Sequence, residues 1–288
     1  MYLGILSWNV RGLGRHEKVR AVRKTIWACK AGVILLQETK LDSQKVGVCK
    51  RLRGNRFGDY AFSPEIGSAG GLLSLWDASV FVEDNRIAQD RVIIILGTLV
   101  EAKLRIGVCN VYDPNDQSER TMFWSQLKAL IDSLRVPIIM GGDFNAVRTW
   151  EEKLGTSVSG ASMRTFDSFI IESNMVDLPL VGGKFTWMRG GSTFSASRID
   201  RFLLSPVIVE RWPNLGQFCL PRSLSDHSPI LLKVDKGARG PQPFKYFDYW
   251  ADESSYFELV SYTISSSSGL GVGALLKKVK AKSKEWVM

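Results

Sequence analysis

The sequence predicts an α/β protein, a four-layer sandwich of two mixed β-sheets packed face to face with helices outside. Three observations point there. Apolar runs of strand length recur and stop at polar residues, as at 5–10, 33–38 and 136–145. Segments of helical period, 16–30 and 118–134, stand between some of these runs. From 80 to 111, strand follows strand with no helix between, which breaks the βαβ rhythm of a single doubly wound sheet.

With 288 residues, 45% of them hydrophobic, the chain can bury one large core or two smaller ones. No apolar stretch reaches the roughly 18 residues of a membrane span, so no membrane partner is expected. Met1 leads straight into Leu3-Gly4-Ile5-Leu6-Ser7-Trp8, without the basic start, apolar middle and cleavage site of a secretory signal. An intracellular protein is expected. Cys29, Cys49, Cys109 and Cys219 are scattered and form no Cys-x-x-Cys pair, which argues against a zinc site and a redox dithiol and for reduced, partly buried thiols. A net charge of +9 points to a polyanionic partner, nucleic acid before anionic membrane.

Taken in order, residues 5–10 read as a buried strand ending at Asn9, with Arg11-Gly12-Leu13-Gly14 as a turn. Residues 16–30 place Val19, Val22, Ile26 and Trp27 at helical spacing, with basic residues mostly on the other face; this is a solvated helix or a phosphate-binding surface. His16 has no ligand-type neighbour at metal spacing and reads as a surface histidine. Ala31-Gly32 breaks into a second strand, which ends at Glu38. Residues 45–56 form a second basic cluster, and strands are expected at 80–82, 92–100 and 104–111, the last running into Tyr112.

Residues 118–134 carry Met122, Phe123, Leu127, Leu130, Ile131 and Leu134 on one helical face. They lead into Val136-Pro137-Ile138-Ile139-Met140-Gly141-Gly142-Asp143-Phe144-Asn145, where an apolar run ends in a carboxylate and a carboxamide two residues apart. A turn with Asp and Asn in turn roles is the plainer reading of that end. A short helix follows with Met163, Phe166, Phe169 and Ile170 inward, then a glycine-bracketed hairpin arm carrying Thr186 and Trp187. Residues 197–204 read as one strand, and 225–232 as the last strand with its lead-in. The character changes near Asp235: residues 236–243 are linker-like and 274–288 a basic amphipathic helix, so a domain at 1–235 and a tail at 236–288 are expected.

Asn9, Glu38, Tyr112, Asp143, Asn145, Asp200, Asp226 and His227 thus all fall at or near strand ends. Each alone could be a satisfied structural group. Four carboxylates in one cleft would each cost several kcal/mol unpaired, so together they need a cation or shifted pKa values. An all-oxygen set with one histidine and no thiolate suits Mg²⁺ or Mn²⁺.

Six stretches in order, Ser7-Trp8-Asn9-Val10-Arg11-Gly12-Leu13, Leu36-Gln37-Glu38-Thr39, Asn110-Val111-Tyr112, Gly142-Asp143-Phe144-Asn145, Ser197-Arg198-Ile199-Asp200 and Ser225-Asp226-His227-Ser228-Pro229-Ile230, resemble the endonuclease/exonuclease/phosphatase superfamily with its DNase I-like fold. Within it, residues 3–234 are most similar to the apurinic-type endonuclease domain of plant LINE-type (non-LTR) retrotransposon polyproteins. The resemblance implies a Mg²⁺-dependent endonuclease acting on DNA, Mn²⁺ being the alternative ion, working as a monomer in the nucleus. It implies Glu38 as principal metal ligand with Asn9 and Asp226 close by, His227 as the group that activates water or stabilises the phosphorane, and Asp200 as the holder of its imidazole. Asp143 would position or deprotonate the water, or protonate the leaving oxygen. Tyr112 and Asn145 would donate to phosphate oxygens, with Thr186 in a substrate pocket, Trp187 beside the DNA, and Arg11, Arg148 and Ser225 as further substrate contacts. No reverse transcriptase follows in this chain, and the tail resembles the connector that precedes one.

Two other readings compete. A phosphatase or phospholipid phosphodiesterase of the same fold is one, although Ser197-Arg198-Ile199-Asp200-Arg201 lacks the Pro-Ala-Trp-Cys-Asp-Arg-like stretch of inositol polyphosphate phosphatases. A non-catalytic nucleic-acid-binding remnant is the other.

Overall fold

The computed structural model describes residues 3–42, 46–66, 69–155, 159–190, 194–235, 250, 253–267, 269 and 271–287. The chain divides into two compact units, 1–235 and 236–288. The first opens with β1 (Gly4–Asn9), α1 (His16–Cys29), β2 (Val33–Gln37), α2 (Val46–Arg53), β3 (Asp59–Ile66), β4 (Ala69–Trp76), β5 (Phe81–Gln89), β6 (Val92–Leu99), β7 (Leu104–Tyr112), α3 (Gln117–Leu134) and β8 (Ile138–Asp143). After a 3₁₀ turn at Trp150–Glu152 come β9 (Lys153–Leu154), α4 (Gly160–Glu172), β10 (Val176–Asp177), β11 (Leu180–Val181), β12 (Trp187–Arg189), β13 (Ser195–Ser197), β14 (Asp200–Leu204), α5 (Pro206–Arg211), β15 (Leu215–Cys219) and β16 (Ile230–Val234).

These strands make a seven-stranded sheet, β11-β15-β16-β1-β2-β4-β3, a six-stranded sheet, β10-β14-β8-β7-β6-β5, and a small sheet, β12-β13-β9. Both large sheets are mixed: β1 pairs parallel with β2 and antiparallel with β16, and β8 parallel with β7 and antiparallel with β14. Two packed mixed sheets with helices outside are the DNase I-like α/β sandwich that the sequence predicts.

Strand alternation distributes the cores. In β1, Leu6 and Trp8 join a cluster with Val19, Val22 and Ile26 of α1 and Val48 and Leu52 of α2. In β8, Ile138 and Met140 join Trp124, Leu127 and Ile131 of α3 and Phe166 and Phe169 of α4. The alternate residues face the other sheet, where Gln37 donates to the Asn110 carboxamide oxygen at 2.7 Å. The sheets meet closely at Gly141, where an added Cβ would stand 2.5 Å from the Phe202 ring and 2.9 Å from Leu35.

Several sequence expectations change. Trp27 is 45% exposed, because α1 buries only Val19, Val22 and Ile26. In α3 the buried face is Arg120, Trp124, Leu127 and Ile131, while Met122 is 60% exposed. The stretch 197–204 is two strands, broken between Ser197 and Asp200 where the chain passes from the small sheet to the large one. The basic cluster near residue 50 contains helix α2, while the lead-in expected before the last strand is there as loop at 225–229.

The second unit holds α6 (Ser254–Ser265) and α7 (Val272–Val287), the latter over the expected basic helix. Trp250, Tyr256 and Trp286 pack ring to ring with centroids 5.0–5.7 Å apart. The linker-like stretch 236–243 lies outside the described residues.

Candidate active site

Pairing register assembles one side of the site. Asp143, last in β8, lies opposite Tyr112 of β7 and Asp200 of β14, so three strand ends of one sheet present their side chains together. The other sheet supplies Asn9 from the end of β1, Glu38 just past β2, and His227 from the loop before β16. Glycine is required beside Asp143: a Cβ on Gly142 would lie 2.0 Å from the Val111 carbonyl oxygen. Arg11, Glu38 and Asn145 all hold positive φ, 50°, 47° and 47°, a conformation that costs a side-chain-bearing residue free energy and persists where surroundings enforce it.

Asn9 ties the two sheets together. Its amide Nδ2 donates to Glu38 Oε1 and to Asp143 Oδ2, both at 2.8 Å, and its Oδ1 accepts from the Arg11 amide at 3.1 Å. Asn9 therefore clamps two carboxylates through its amino group, while its carboxamide oxygen spends one of two lone pairs on the Arg11 amide. Ser225, expected to touch substrate, is also occupied internally: its hydroxyl donates to the Asn9 carbonyl at 2.8 Å and accepts from the His227 amide at 3.2 Å.

His227 is buried with Nδ1 3.0 Å from Asp200 Oδ2, which leaves Nε2 facing Asp143 Oδ2 at 3.8 Å and Asp226 Oδ1 at 3.9 Å. Burial disfavours the imidazolium, but the charges of Asp200 and Asp143 outweigh it and lift the His227 pKa to about 9. Burial also drives Asp143 up, to about 7, against the opposing pull of His227. Asp226 is held below the usual carboxylate range: burial raises it, and His227, Arg11 and the Trp187 hydrogen bond lower it further than that. Burial raises the Tyr112 phenol, reinforced by the charges of Glu38 and Asp143.

Arg11 is the cation in direct contact on the Glu38 side, 3.0 Å from Asp226 Oδ1 and 3.6 Å from Glu38 Oε1, with Lys18 close enough to act on both acids. Trp187 donates its Nε1 to Asp226 Oδ2 at 2.9 Å. With Arg189, Leu224 and Ser225, these residues line an open cleft of about 480 Å³ beside the acids.

Glu38, Asp143 and His227 can present ligand atoms within 4.8 Å of one another. The His227 imidazole is already engaged by Asp200 through Nδ1, and the carboxylates are the harder ligands of the three. Two acids joined through one amide, with a third beyond Arg11, form a hard, anionic oxygen set that fits a divalent cation such as Mg²⁺ or Mn²⁺.

Two further expectations are corrected. Thr186 is 0% exposed, and its hydroxyl accepts from the Ile199 and Asp200 amides at 3.1 and 3.0 Å; it braces the strand that carries Asp200 and meets no substrate. Arg148 bonds Asp167 at 2.8 Å and lies 3.7 Å from Asp177, so it belongs to an internal ion network. Asn145 is half-buried and gives one of its two amino hydrogens to the Asp113 carbonyl at 2.8 Å, which holds the loop after β8 in place.

Asp113 is the residue that sequence reasoning passed over. Its amide donates to the Asp143 carbonyl at 2.9 Å, its carboxylate accepts from Trp124 Nε1 at 3.0 Å, and burial drives its pKa well up despite Arg120. An inward Trp and an Arg four residues apart on α3, both needing acceptors, were the signal that could have found it.

A model described as the Endonuclease/Exonuclease/phosphatase family matches residues 6–227, most of the chain and every acid above. The chain belongs to this family. Endonuclease/exonuclease/phosphatase membership points to a hydrolytic nuclease or phosphoesterase. Among solved structures, the fold is similar to the AP endonuclease LMAP from Leishmania major (TM-score 0.64, 17% identity, 81% of this chain and 87% of that one). It is similar also to the 3′ phosphatase NExo from Neisseria bound to a product DNA hairpin (0.60, 18%, 81% and 99%). A third likeness is to the endonuclease domain of TRAS1, a telomere-specific non-LTR retrotransposon (0.58, 16%, 82% and 100%). At such identities these likenesses concern the fold. No curated protein matches the sequence. Among the described residues, no helix is long and apolar enough to cross a membrane.

Proposed function

We propose that the chain is a divalent-metal-dependent endonuclease that hydrolyses DNA phosphodiester bonds and leaves 3′-hydroxyl and 5′-phosphate ends. The observation that carries this reading is the line Asp200, His227, Asp143, in which one carboxylate sits 3.0 Å from Nδ1 and the other faces Nε2 at 3.8 Å, with Asn9 binding Asp143 to Glu38. A non-catalytic binding surface has no need of such an arrangement, since burying acids beside one another is unfavourable.

The residues divide the work by charge. Asp200 fixes the imidazole so that Nδ1–H points inward and Nε2–H points to the cleft. With its pKa near 9, His227 is cationic at neutral pH and donates to a non-bridging phosphate oxygen, where negative charge grows in the transition state. Asp143, made more basic than an ordinary carboxylate by burial and facing Nε2 across the cleft, is the group suited to take the proton of the attacking water. Glu38, with Asp226 across Arg11, would hold Mg²⁺ or Mn²⁺. When bound, that ion supplies polarisation of the phosphate and neutralises the acids. Trp187 and Arg11 line the cleft on which the DNA backbone would lie.

The test is nicking of supercoiled plasmid in Mg²⁺, with an abasic oligonucleotide as a second substrate. Nicks that require the metal and vanish in Asp143→Ala are expected. No nicking by the parent protein, or equal nicking by the variant, would overturn the reading. Phosphate release from an inositol polyphosphate without DNA cleavage would promote the phosphatase alternative.

A further inference from the structure

The basic face of α1 and α2 plays no part in the chemistry above. Residues 15–30 and 46–56 hold ten Lys and Arg against a single acid, Glu17, so these two stretches match the whole chain's excess of +9. They form one surface. Both helices pack on the same side of the seven-stranded sheet through Val19, Val22, Ile26, Val48 and Leu52. Arg51 Nη1 approaches His16 Nδ1 at 3.5 Å, and Arg56 reaches over the Trp27 ring from beyond α2.

Several cations elsewhere in the unit are ion-paired. Arg86, Arg91, Arg105, Lys128, Arg148, Arg198 and Arg201 each meet an acid within 4.0 Å. Among the described residues, Arg20, Arg23, Lys24, Lys50 and Arg51 form no ion pair, and all five are exposed. Like charges gathered on one face without counter-charges repel one another, and a polyanion removes that repulsion while releasing its own counterions.

Trp27 identifies the form of the polyanion. It is 45% exposed in the middle of this face, with the Arg23 and Arg56 guanidinium carbons each 5.9 Å from its ring centroid. A cation-flanked indole at the surface is a stacking platform for a base, and only an unpaired strand has bases to offer it. The face also starts at the catalytic cleft: Lys18 Nζ donates to the Arg11 carbonyl at 2.9 Å, and α1 runs on from there for about 20 Å.

We propose that the α1–α2 face binds single-stranded DNA, holding the unpaired flank of a substrate whose scissile bond lies in the cleft. This rests on the endonuclease reading for its DNA, but binding is measured apart from cleavage. Fluorescence anisotropy of a labelled 20-nucleotide DNA strand is read in EDTA, where no hydrolysis occurs, across a salt series, with a duplex and an RNA strand of the same length alongside. Tighter binding to the DNA strand than to the duplex is expected. Trp27→Ala weakens it about tenfold. Arg20→Gln/Lys24→Gln/Lys50→Gln weakens it at least tenfold near 0.1 M salt and makes the salt dependence shallower. Equal duplex and strand binding, no effect of either variant, or preference for the RNA strand would overturn the proposal. Thermal melting of both variants at the parent temperature excludes misfolding as the cause. Plasmid nicking that persists while strand binding is absent sinks this face alone; strand binding without any nicking sinks the endonuclease reading and keeps the face.

Discussion

Two clusters of buried charge lie in the first unit, and they are built on opposite plans. In one, Arg148, Arg198 and Arg201 face Glu152, Asp167 and Asp177, cation for anion. Arg201 is fully buried and bonds Glu152 through Oε1 at 2.9 Å and again through Oε2, and Asp177 at 2.7 Å, while Arg198 repeats both partners at 3.0 and 2.6 Å. In the other, Glu38, Asp143, Asp200 and Asp226 share Arg11 and His227. The first set balances its charges within itself. The second keeps an excess of negative charge that an incoming cation would satisfy, and its acids are held together by amide hydrogens instead of by counter-ions.

That difference makes the two clusters fail in different ways. The largest effect is expected at the imidazole: Asp200→Asn should lower single-turnover nicking about 10⁴-fold, by releasing the tautomer that presents Nε2–H, with little change in melting temperature. A variant as fast as the parent would remove Asp200 from its role. Arg201→Met should do the reverse. Leaving Glu152 and Asp177 without their central guanidinium should remove about 3–5 kcal/mol of stability in urea melts, with nicking per folded molecule preserved.

Metal sharpens the contrast. Mg²⁺ at about one hundred times its dissociation constant should stabilise the parent by about 2.7 kcal/mol, and Glu38→Gln should erase that gain where Arg201→Met keeps it. A smaller effect comes from acid. Burial raises Glu152, but the hydrogen bond and charge of Arg201 outweigh it and hold its pKa below the ordinary 4.5. A depressed folded-state value gives stability that is fully present above the unfolded pKa and is lost as pH falls through the folded one. Glu152→Gln should therefore flatten the loss of stability below about pH 4.5, and an unchanged acid limb in melts against pH would deny the linkage.

Much of the fold was legible because strands and helices announce themselves by period. The runs ending at Asn9, Glu38, Tyr112 and Asp143 became β1, β2, β7 and β8, and their order along the chain carried the family likeness. What one-dimensional pattern could not give was partnership at long range. Arg148 read as a substrate contact since its partners lie 19 and 29 positions on, at Asp167 and Asp177. Thr186 looked accessible beside Trp187, yet successive strand residues face opposite ways, and the chain from Ser197 to Asp200 covers it. Trp27 had the correct spacing for the core and misled for another reason: α1 fills its buried face with three aliphatics before the indole is reached.

The small hairpin sets a limit on redesign. Trp187 forms a bridge with His227, Ser228 donates to the Thr186 carbonyl at 2.6 Å, and Met188 donates to the Asp226 carbonyl at 3.0 Å. The base of the arm and the proton-handling loop are thus one mechanical part. Anyone exchanging this arm to retarget the enzyme must cut the graft outside it, between Arg189 and Ser195; a splice placed earlier would carry the histidine out of alignment along with the new specificity.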